Sequence, residues 1–145
     1  MKVKVTPSKV HGNVKIPASK SMAHRALICA SLSDGTSIVS NVTNSKDIEA
    51  TVGCMKALGA KIKQLDETTY EVTGTNLFKQ EGSITCNANE SGSTLRFLIP
   101  LAACTNAKVK FLGQGRLLQR PMDVYANEFK EQNIEFNQSD KEIIV

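Results

Sequence analysis

The feature that most constrains this fold is an order of predicted elements that occurs twice along the 145-residue chain. Arg25 and Arg96 each stand near the start of a predicted helix, and they are 71 positions apart. The predicted strands that begin at Ala60 and Ile134 are 74 positions apart. Because the offset hardly changes between these two places, the sequence predicts an internal duplication.

Each predicted unit consists of a strand, a helix, a strand, a helix and two further strands. Hydrophobic periodicity and the turn residues between segments predict the boundaries. In the first unit the elements are predicted at residues 10–16, 19–33, 36–40, 44–58, 60–65 and 69–73. In the second unit they are predicted at residues 82–86, 92–104, 108–112, 121–132, 134–137 and 142–145. We therefore expect an α/β fold of α+β layers with two βαβαββ units, in which helices pack on mixed sheets. Residues 1–5 are predicted to form an extra strand.

Composition narrows the class of protein. Hydrophobic residues make up 41% of the chain and charged residues 22%, which is typical of globular proteins. No apolar run approaches the roughly 18 residues that span a bilayer, and the N-terminus lacks the apolar stretch of a signal peptide, so a cytoplasmic location is expected. The cysteines are spread singly, which predicts reduced thiols in the core and neither disulfides nor a metal site. They are Cys29, Cys54, Cys86 and Cys104.

The first candidate site is the start of the first predicted helix. If Ser19 caps this helix, Lys20 and Ser21 lie in its first turn, and Arg25 shares a face with Ser21. Backbone N–H groups, an ammonium, a hydroxyl and a guanidinium then converge, which suits a carboxylate or a phosphate. Because basic residues in a first turn oppose the helix dipole, stability does not explain them. The structural alternative is a solvated helix end with an ordinary serine cap.

Two further helix starts carry similar chemistry. Gly92 opens the first helix of the second unit, where a missing side chain lets a ligand approach the backbone, and Arg96 follows four positions later. Arg120 stands before Pro121, which suits the first position of a helix. The structural alternatives are an ordinary turn and a surface arginine. Since these helices follow strands in repeated units, we expect their N-termini to gather into one cationic face for small polyanions.

Three polar residues near these motifs are assigned structural roles. Asp47 is predicted to be the N-cap of the second helix. His24 and His11 have no partners for a catalytic triad or a metal site in the sequence pattern, so both are interpreted as non-catalytic.

Together the three helix starts resemble the EPSP synthases, a family of enolpyruvyl transferases. The family's P-x-S-K-S-x-x-x-R start matches residues 17–25, and its G-N-A/S-G-T-x-x-R turn matches residues 89–96. Its G-D-x-x-L-x-x-R-P-M segment matches residues 113–122. Two of the positions that depart from these patterns are Glu90 and Gln114. Glu90 stands where asparagine is common, and Gln114 replaces an acidic residue.

The resemblance implies transfer of the enolpyruvyl group of phosphoenolpyruvate to the 5-hydroxyl of shikimate 3-phosphate, with release of phosphate, in the shikimate pathway of aromatic amino acid biosynthesis. It implies no metal and no organic cofactor. Each domain of the family holds three βαβαββ units. Residues 1–145 would then be a partial N-terminal domain, with unit one at about 10–74, unit two at about 82–145, and residues 1–9 a strand of the second domain. Glyphosate, the family's inhibitor, would occupy the phosphoenolpyruvate pocket.

The resemblance also implies roles for individual residues. Ser21 and Arg25 would hold the carboxylate of shikimate 3-phosphate, and Lys20 would bridge the two substrates. The backbone of Gly92 and the side chain of Arg120 would bind the phosphate side of phosphoenolpyruvate.

Arg96 is expected to support that site, and no catalytic residue is implied within the chain. The family's acid–base residues, an Asp, a Glu and a Lys, lie in its second domain, and the serines that grip the shikimate phosphate lie in the third unit. We therefore expect this chain to be inactive alone. We expect the full-length enzyme to be a monomer, and this fragment to be less stable than its length suggests or to self-associate.

Two alternatives stay open at the level of sequence. The UDP-N-acetylglucosamine enolpyruvyl transferase shares the architecture, but it opens with a K-N-A-type motif and uses a reactive cysteine, whereas Ser21 follows the lysine here. A non-catalytic RNA- or anion-binding module on the same repeat would need a continuous basic stripe. The net charge is only +4, the basic residues are scattered and aromatic residues make up 5%. The expected partners are therefore the two small substrates, with neither nucleic acid nor membrane.

Overall fold

The structure is a computed structural model that describes residues 2–9, 11–14 and 16–145. Its helices are α1 (Lys20–Leu32), α2 (Lys46–Ala57), α3 (Gly92–Ala102) and α4 (Asp123–Glu131). Its strands are β1 (Thr36–Val39), β2 (Lys61–Gln64), β3 (Tyr70–Thr73), β4 (Glu81–Asn87), β5 (Asn106–Leu112), β6 (Asn137–Gln138) and β7 (Ile143–Ile144). Short 3-10 turns occur at Leu77–Lys79 and Leu117–Gln119. Within the described ranges, no helix is long and apolar enough to cross a membrane.

The strands form two sheets. The first is antiparallel, with the order β1, β3, β2. The second has the order β4, β5, β7, β6 and is mixed, because β4 and β5 run parallel while the other pairs are antiparallel. In the parallel pair, Glu81 lies opposite Asn106 and Asn87 opposite Leu112. The second unit therefore has the complete predicted order of elements, with β6 and β7 as its final hairpin.

The opening strand predicted for the first unit is not seen. Residues 11–14 and 16 have no regular secondary structure, and the other two positions of the predicted strand lie outside the described residues. Val14 and Ile16 are 85% and 81% exposed, and β1 has no partner on its outer edge among the described strands. A segment without cross-strand partners and buried side chains lacks what stabilises a strand. The first sheet is consequently antiparallel rather than mixed.

The extra strand predicted at the N-terminus is also not seen. Residues 2–9 have no regular secondary structure and are exposed, and Met1 lies outside the described residues. The assignment of residues 1–9 to a second domain stays a prediction.

Serine caps explain where three helices begin. In each case the hydroxyl oxygen accepts a hydrogen bond from the backbone N–H three residues later, which satisfies a donor that the helix cannot. The pairs are Ser19 with Met22, Ser45 with Ile48, and Ser91 with Thr94, each at 3.3 Å. The prediction that Asp47 is the N-cap of α2 is therefore wrong. Asp47 lies in the first turn, where its charge favours the helix dipole.

α4 begins later than predicted. Its first residue is Asp123, so Pro121 precedes the helix instead of occupying its first position. The chain first completes the 3-10 turn Leu117–Gln119, and Met122 then turns into the core, where it is buried. Arg120 stands between that turn and the helix.

One apolar core joins the two units. α1 and α2 pack on the three-stranded sheet, while α2 and α3 pack on the four-stranded sheet, so α2 contacts both. The largest fully buried side chains include Leu27, Ile48, Met55, Leu95, Ile99 and Phe111.

Two of the four cysteines lie in this core. Cys54 and Cys86 are buried, and the hydrogen bond with Cys86, together with burial, raises the pKa of the Cys54 thiol. Cys29 and Cys104 are exposed, so the prediction of four core thiols is wrong for these two. Cys29 lies on the outer face of α1, and Cys104 follows the end of α3.

Candidate functional site

The N-terminal turns of three helices lie side by side. Lys20, the first residue of α1, forms an ion pair with Asp47 in the first turn of α2. The hydroxyl of Thr94, in the first turn of α3, lies 3.2 Å from the carbonyl oxygen of Asp47 and can donate to it. The first turn of α2 therefore joins those of α1 and α3, as expected from the repeated order of elements.

The ion pair between Lys20 and Asp47 is solvent-accessible. The two side chains are 53% and 32% exposed. Pairs at this exposure contribute about 0–1 kcal/mol, so an incoming anion can compete for the ammonium group. The ammonium also has three donors, which lets Lys20 contact Asp47 and a ligand together. Sequence reasoning missed Asp47 as a partner, because its position at a helix start indicated only a cap.

Arg25 is held at the edge of this face by two contacts. Its Nη1 atom donates to the carbonyl oxygen of Ser21 at 2.8 Å. Its guanidinium carbon lies 4.8 Å from the ring centroid of Phe97 in α3, a cation–π distance. Both contacts leave donors of the planar guanidinium for a ligand, since it carries five N–H groups. The predicted pairing of Ser21 and Arg25 on one face is therefore seen.

Two guanidinium groups flank the start of α3. A Cβ atom built on Gly92 would lie 2.5 Å from Nη1 of Arg120 and 3.4 Å from Nη1 of Arg96. Among the described residues, neither arginine forms a salt bridge with a carboxylate. Two cations beside the positive end of a helix dipole repel one another, and a bound anion relieves that repulsion. The structure thus brings together the three predicted residues of the second unit.

Two polar clefts adjoin these groups. One of about 300 Å³ is lined by Arg116, Gln119, Arg120 and Pro121. The other, of about 500 Å³, is lined by Lys46, Asp47, Glu49, Asn89, Glu90 and Gln114. Sequence reasoning missed Arg116, although its spacing of four from Arg120 within one motif was the available signal. A more apolar cleft of about 330 Å³, which includes Leu32 and Phe78, lies near the other end of α1 and contains no cation.

Two of the departures from the family motifs are neighbours in space. Glu90 and Gln114 both line the larger polar cleft. The carboxylate of Glu90 lies over Gly115, where an added Cβ atom would collide with it. The backbone N–H of Gln114 donates to the carbonyl oxygen of Asn89 at 2.6 Å. The carboxylate of Glu90, in the turn before α3, therefore covers the turn after β5.

His24 lies beneath the face and not on it. It is buried, and its Nδ1 atom lies 2.7 Å from the hydroxyl of Thr51. Burial lowers its pKa, the carboxylate of Asp47 opposes that shift, and the cations Lys20 and Arg25 add to it. The imidazole is therefore neutral at pH 7, while His11 is exposed.

Comparison with known proteins places the chain. The sequence model of EPSP synthase (3-phosphoshikimate 1-carboxyvinyltransferase) matches residues 4–145. The chain belongs to the EPSP synthase family. Its curated relatives named 3-phosphoshikimate 1-carboxyvinyltransferase include those of Clostridium perfringens (strain SM101), Clostridium beijerinckii and Clostridioides difficile, at 48%, 48% and 43% identity. These matches cover 98%, 95% and 97% of this chain but only 33%, 33% and 34% of the relatives. The chain thus spans about a third of their length.

Solved structures support the same fold. An EPSP synthase from Acinetobacter baumannii superimposes with a TM-score of 0.79 at 18% sequence identity. The match covers 92% of this chain and 32% of the Acinetobacter chain. The resemblance to EPSP synthases and the α/β class are therefore confirmed. The individual ligand roles of Lys20, Ser21, Arg25, Gly92, Arg96 and Arg120 stay predictions.

Proposed function

We propose that this chain forms substrate-binding surface of a 3-phosphoshikimate 1-carboxyvinyltransferase. The proposed reaction transfers the enolpyruvyl group of phosphoenolpyruvate to the 5-hydroxyl of shikimate 3-phosphate and releases phosphate. The observation that carries the proposal is the pair of guanidinium groups of Arg96 and Arg120 beside Gly92 at the start of α3. Its support from kinship is the 48% identity to relatives of that name.

Phosphoenolpyruvate is assigned to the start of α3. Its phosphate would accept hydrogen bonds from backbone N–H groups at Gly92 and from the guanidinium of Arg120. Helix N-termini favour such anions because unpaired N–H groups and the dipole act together. Arg96, on the other side of Gly92, would add positive charge without being the main ligand.

Shikimate 3-phosphate is assigned to the start of α1. Ser21 and Arg25 would hold its carboxylate, for which a guanidinium offers two parallel donors. Lys20 would stand between the two substrates, because its partner Asp47 lies in the helix between α1 and α3. One ammonium group would thus contact both anions.

The proposed contribution of this chain to the reaction is binding and orientation. A carbon–oxygen bond forms between the 5-hydroxyl and the enolpyruvyl group, and the bond from that group to phosphate breaks. Holding the hydroxyl and the enolpyruvyl carbon at reacting distance makes the step effectively unimolecular. The transfer of protons is assigned to groups outside residues 1–145, as the resemblance implies.

The test is phosphate release by a full-length protein that carries this chain. Arg120→Gln should raise the KM for phosphoenolpyruvate about 10- to 100-fold, since a hydrogen bond to a charged group contributes about 1.5–3 kcal/mol. The KM for shikimate 3-phosphate should change by less than about threefold. Lys61→Gln, at an exposed lysine of β2, removes the same charge away from the site and should leave both constants unchanged.

Two results would contradict the proposal. Absence of phosphate release by the unsubstituted protein with both substrates would show that the activity is wrong. Equal kinetics of Arg120→Gln and Lys61→Gln would show that the phosphoenolpyruvate site is elsewhere. A cytoplasmic location and a monomeric full-length protein stay predictions.

A further inference from the structure

A chain of hydrogen bonds runs through the interior beneath the cationic face. Nδ1 of His24 in α1 lies 2.7 Å from Oγ1 of Thr51 in α2. Oγ1 of Thr51 lies 2.7 Å from Oγ1 of Thr94 in α3. Oγ1 of Thr94 lies 2.7 Å from the hydroxyl oxygen of Ser91, which caps α3. All four side chains are buried, so three helices are joined by polar groups that water does not reach.

Stability alone does not account for this chain of hydrogen bonds. Buried polar groups lose their hydration, and replacing bonded partners by apolar groups of the same shape is often neutral or stabilising. The Nε2 atom of His24 is buried and has no hydrogen-bond partner among the described residues. An imidazole with one unsatisfied nitrogen is an unfavourable way to fill a core position. This chain of hydrogen bonds is therefore better explained by the geometry that it imposes on the three helices.

The helical turns that these hydrogen bonds hold in place lie next to the residues of the proposed site. Lys20 lies one helical turn before His24, and Asp47 lies one turn before Thr51. The carbonyl oxygen of Asp47 lies 3.3 Å from Oγ1 of Thr51 and 3.2 Å from Oγ1 of Thr94. Both hydroxyls thus contact the backbone that carries the partner of Lys20.

The other end of the chain reaches the second half of the site. Ser91 is the residue before Gly92, and its hydroxyl also accepts the backbone N–H of Thr94. The position of the first α3 turn relative to α2 therefore depends on the contacts of Thr94 with Thr51 and with the carbonyl oxygen of Asp47.

We propose that Thr51 and Thr94, with His24, are positioning residues that set the spacing between the α1 and α3 halves of the site. This inference rests on the proposed function. Surface cations bind each substrate, and the buried chain sets the distance between the two bound substrates. Loss of one hydroxyl should therefore leave each substrate bound but the reacting atoms misplaced. Such a defect lowers kcat far more than it raises either KM.

The experiment replaces one buried hydroxyl by a methyl group of the same shape. In the full-length protein, Thr51→Val should lower kcat about 10- to 100-fold, because small misplacements of reacting groups have effects of this size. Each KM should rise by less than about threefold. Thr51→Ser restores the hydroxyl and should return kcat to within about threefold of the unsubstituted enzyme. Thr94→Val is an independent variant with the same expected pattern.

Ser31→Ala provides the matched control. Ser31 is as buried as Thr51, but its hydroxyl donates to the carbonyl oxygen of Leu27 in the same helix at 2.7 Å. It therefore loses a buried hydrogen bond without affecting the contact between helices, and its kcat should be unchanged. All assays are run well below the melting temperature of each variant.

The outcomes separate this inference from the proposed function. If the unsubstituted enzyme is active and Thr51→Val has the kcat of Ser31→Ala, the chain is only structural and the positioning role is overturned. Failure of Thr51→Ser to restore kcat would overturn it as well. If Thr51→Val does not fold, the same comparison is made with Thr94→Val. An inactive unsubstituted enzyme overturns the proposed function, and this inference with it.

Discussion

At the scale of single residues, Gly92 is important for the space beside it and not for an unusual backbone conformation. Its φ lies outside the left-handed region, so an alanine there would not be strained. The atoms that an added methyl group would meet are the ends of Arg120 and Arg96, which are long and flexible. The methyl group can therefore be accommodated, but only if the guanidinium of Arg120 moves.

Gly92→Ala should fold normally and weaken phosphoenolpyruvate binding. Its methyl group displaces Arg120 and covers backbone N–H groups that the phosphate needs, so the KM for phosphoenolpyruvate should rise. Binding of shikimate 3-phosphate should change little, and glyphosate inhibition should weaken even more, because glyphosate is the bulkier occupant. Steady-state kinetics of the full-length protein measure these constants. Gly53→Ala, in α2 with no atom near its added Cβ, is the control. Unchanged phosphoenolpyruvate and glyphosate constants would place Gly92 outside the pocket.

Lys20→Ala and Arg25→Ala should affect binding more than folding. Lys20 opposes the dipole of α1 and gains only an exposed ion pair with Asp47, so its loss should change the free energy of unfolding by less than about 1 kcal/mol. Lys20→Ala should weaken the binding of both substrates. Arg25→Ala should chiefly weaken the binding of shikimate 3-phosphate, by about 1.5–3 kcal/mol of binding free energy. Affinities and melting temperatures of both variants in the full-length protein test this. A large drop in melting temperature with intact affinity would mean that these residues are structural.

At the scale of elements, local signals in the sequence predicted most boundaries. Ser19 followed by an apolar period marked the start of α1, and the turn of small residues before Gly92 marked that of α3. These features depend on residues that are neighbours in sequence, so the amino-acid pattern is enough to predict them. The residues of the candidate site were found for the same reason, since each stands at a helix start.

The features that were missed depend on contacts between distant segments. The absent opening strand leaves an outer edge of β1 with which no described strand pairs, and the pairing of Lys20 with Asp47 joins two helices. His24 has the same character. On the sequence it is one histidine without partners, and only the packing of α1 against α2 places it beside Thr51. Such contacts follow from tertiary structure, which periodicity does not specify.

The packing of α1 against α2 predicts a pH dependence of stability. Burial keeps the folded-state pKa of His24 below its unfolded value of about 6.5. As the pH falls through about 6.5, the unfolded chain binds a proton that the folded chain does not, so the free energy of unfolding decreases. The decrease ends once the pH is below the folded-state pKa. Urea denaturation between about pH 7.5 and 5.5 measures it, above the range where most carboxylates titrate.

Two substitutions isolate this effect. His24→Asn should abolish most of the decrease, whatever its effect on stability at pH 7.5. His11→Asn, at an exposed histidine, should leave the decrease as it is in the unsubstituted chain. Equal pH dependence in both variants would mean that His24 titrates alike in the folded and unfolded states.

At the scale of the whole molecule, the chain spans about a third of its relatives, and its candidate site is an open face. Positively charged groups and helix N-termini line this face. Such groups are suited to bind and orient anions, but they do not supply a matched acid and base for the two proposed substrates.

The isolated chain should therefore not catalyse the reaction. Proton transfer contributes about 10²- to 10⁴-fold in rate, and electrostatic positioning alone does not replace it. Phosphate release from phosphoenolpyruvate plus shikimate 3-phosphate is the assay, with a full-length enzyme of the family as the positive control. Turnover by the 145-residue chain near that of the control would contradict the prediction.

The isolated chain should also self-associate or melt at low temperature. The outer edge of β1 is unpaired among the described strands, and its Ile38 is 59% exposed. Val14 and Ile16, in the segment that precedes α1, are also exposed. Open edges and apolar side chains favour pairing with a second copy. Sedimentation velocity should show association that rises with concentration, and Ile38→Lys should reduce it, because a charge on an edge strand opposes pairing. Val124→Lys changes an exposed apolar residue of α4 and should not. A cooperative melt with strictly monomeric sedimentation would contradict this prediction.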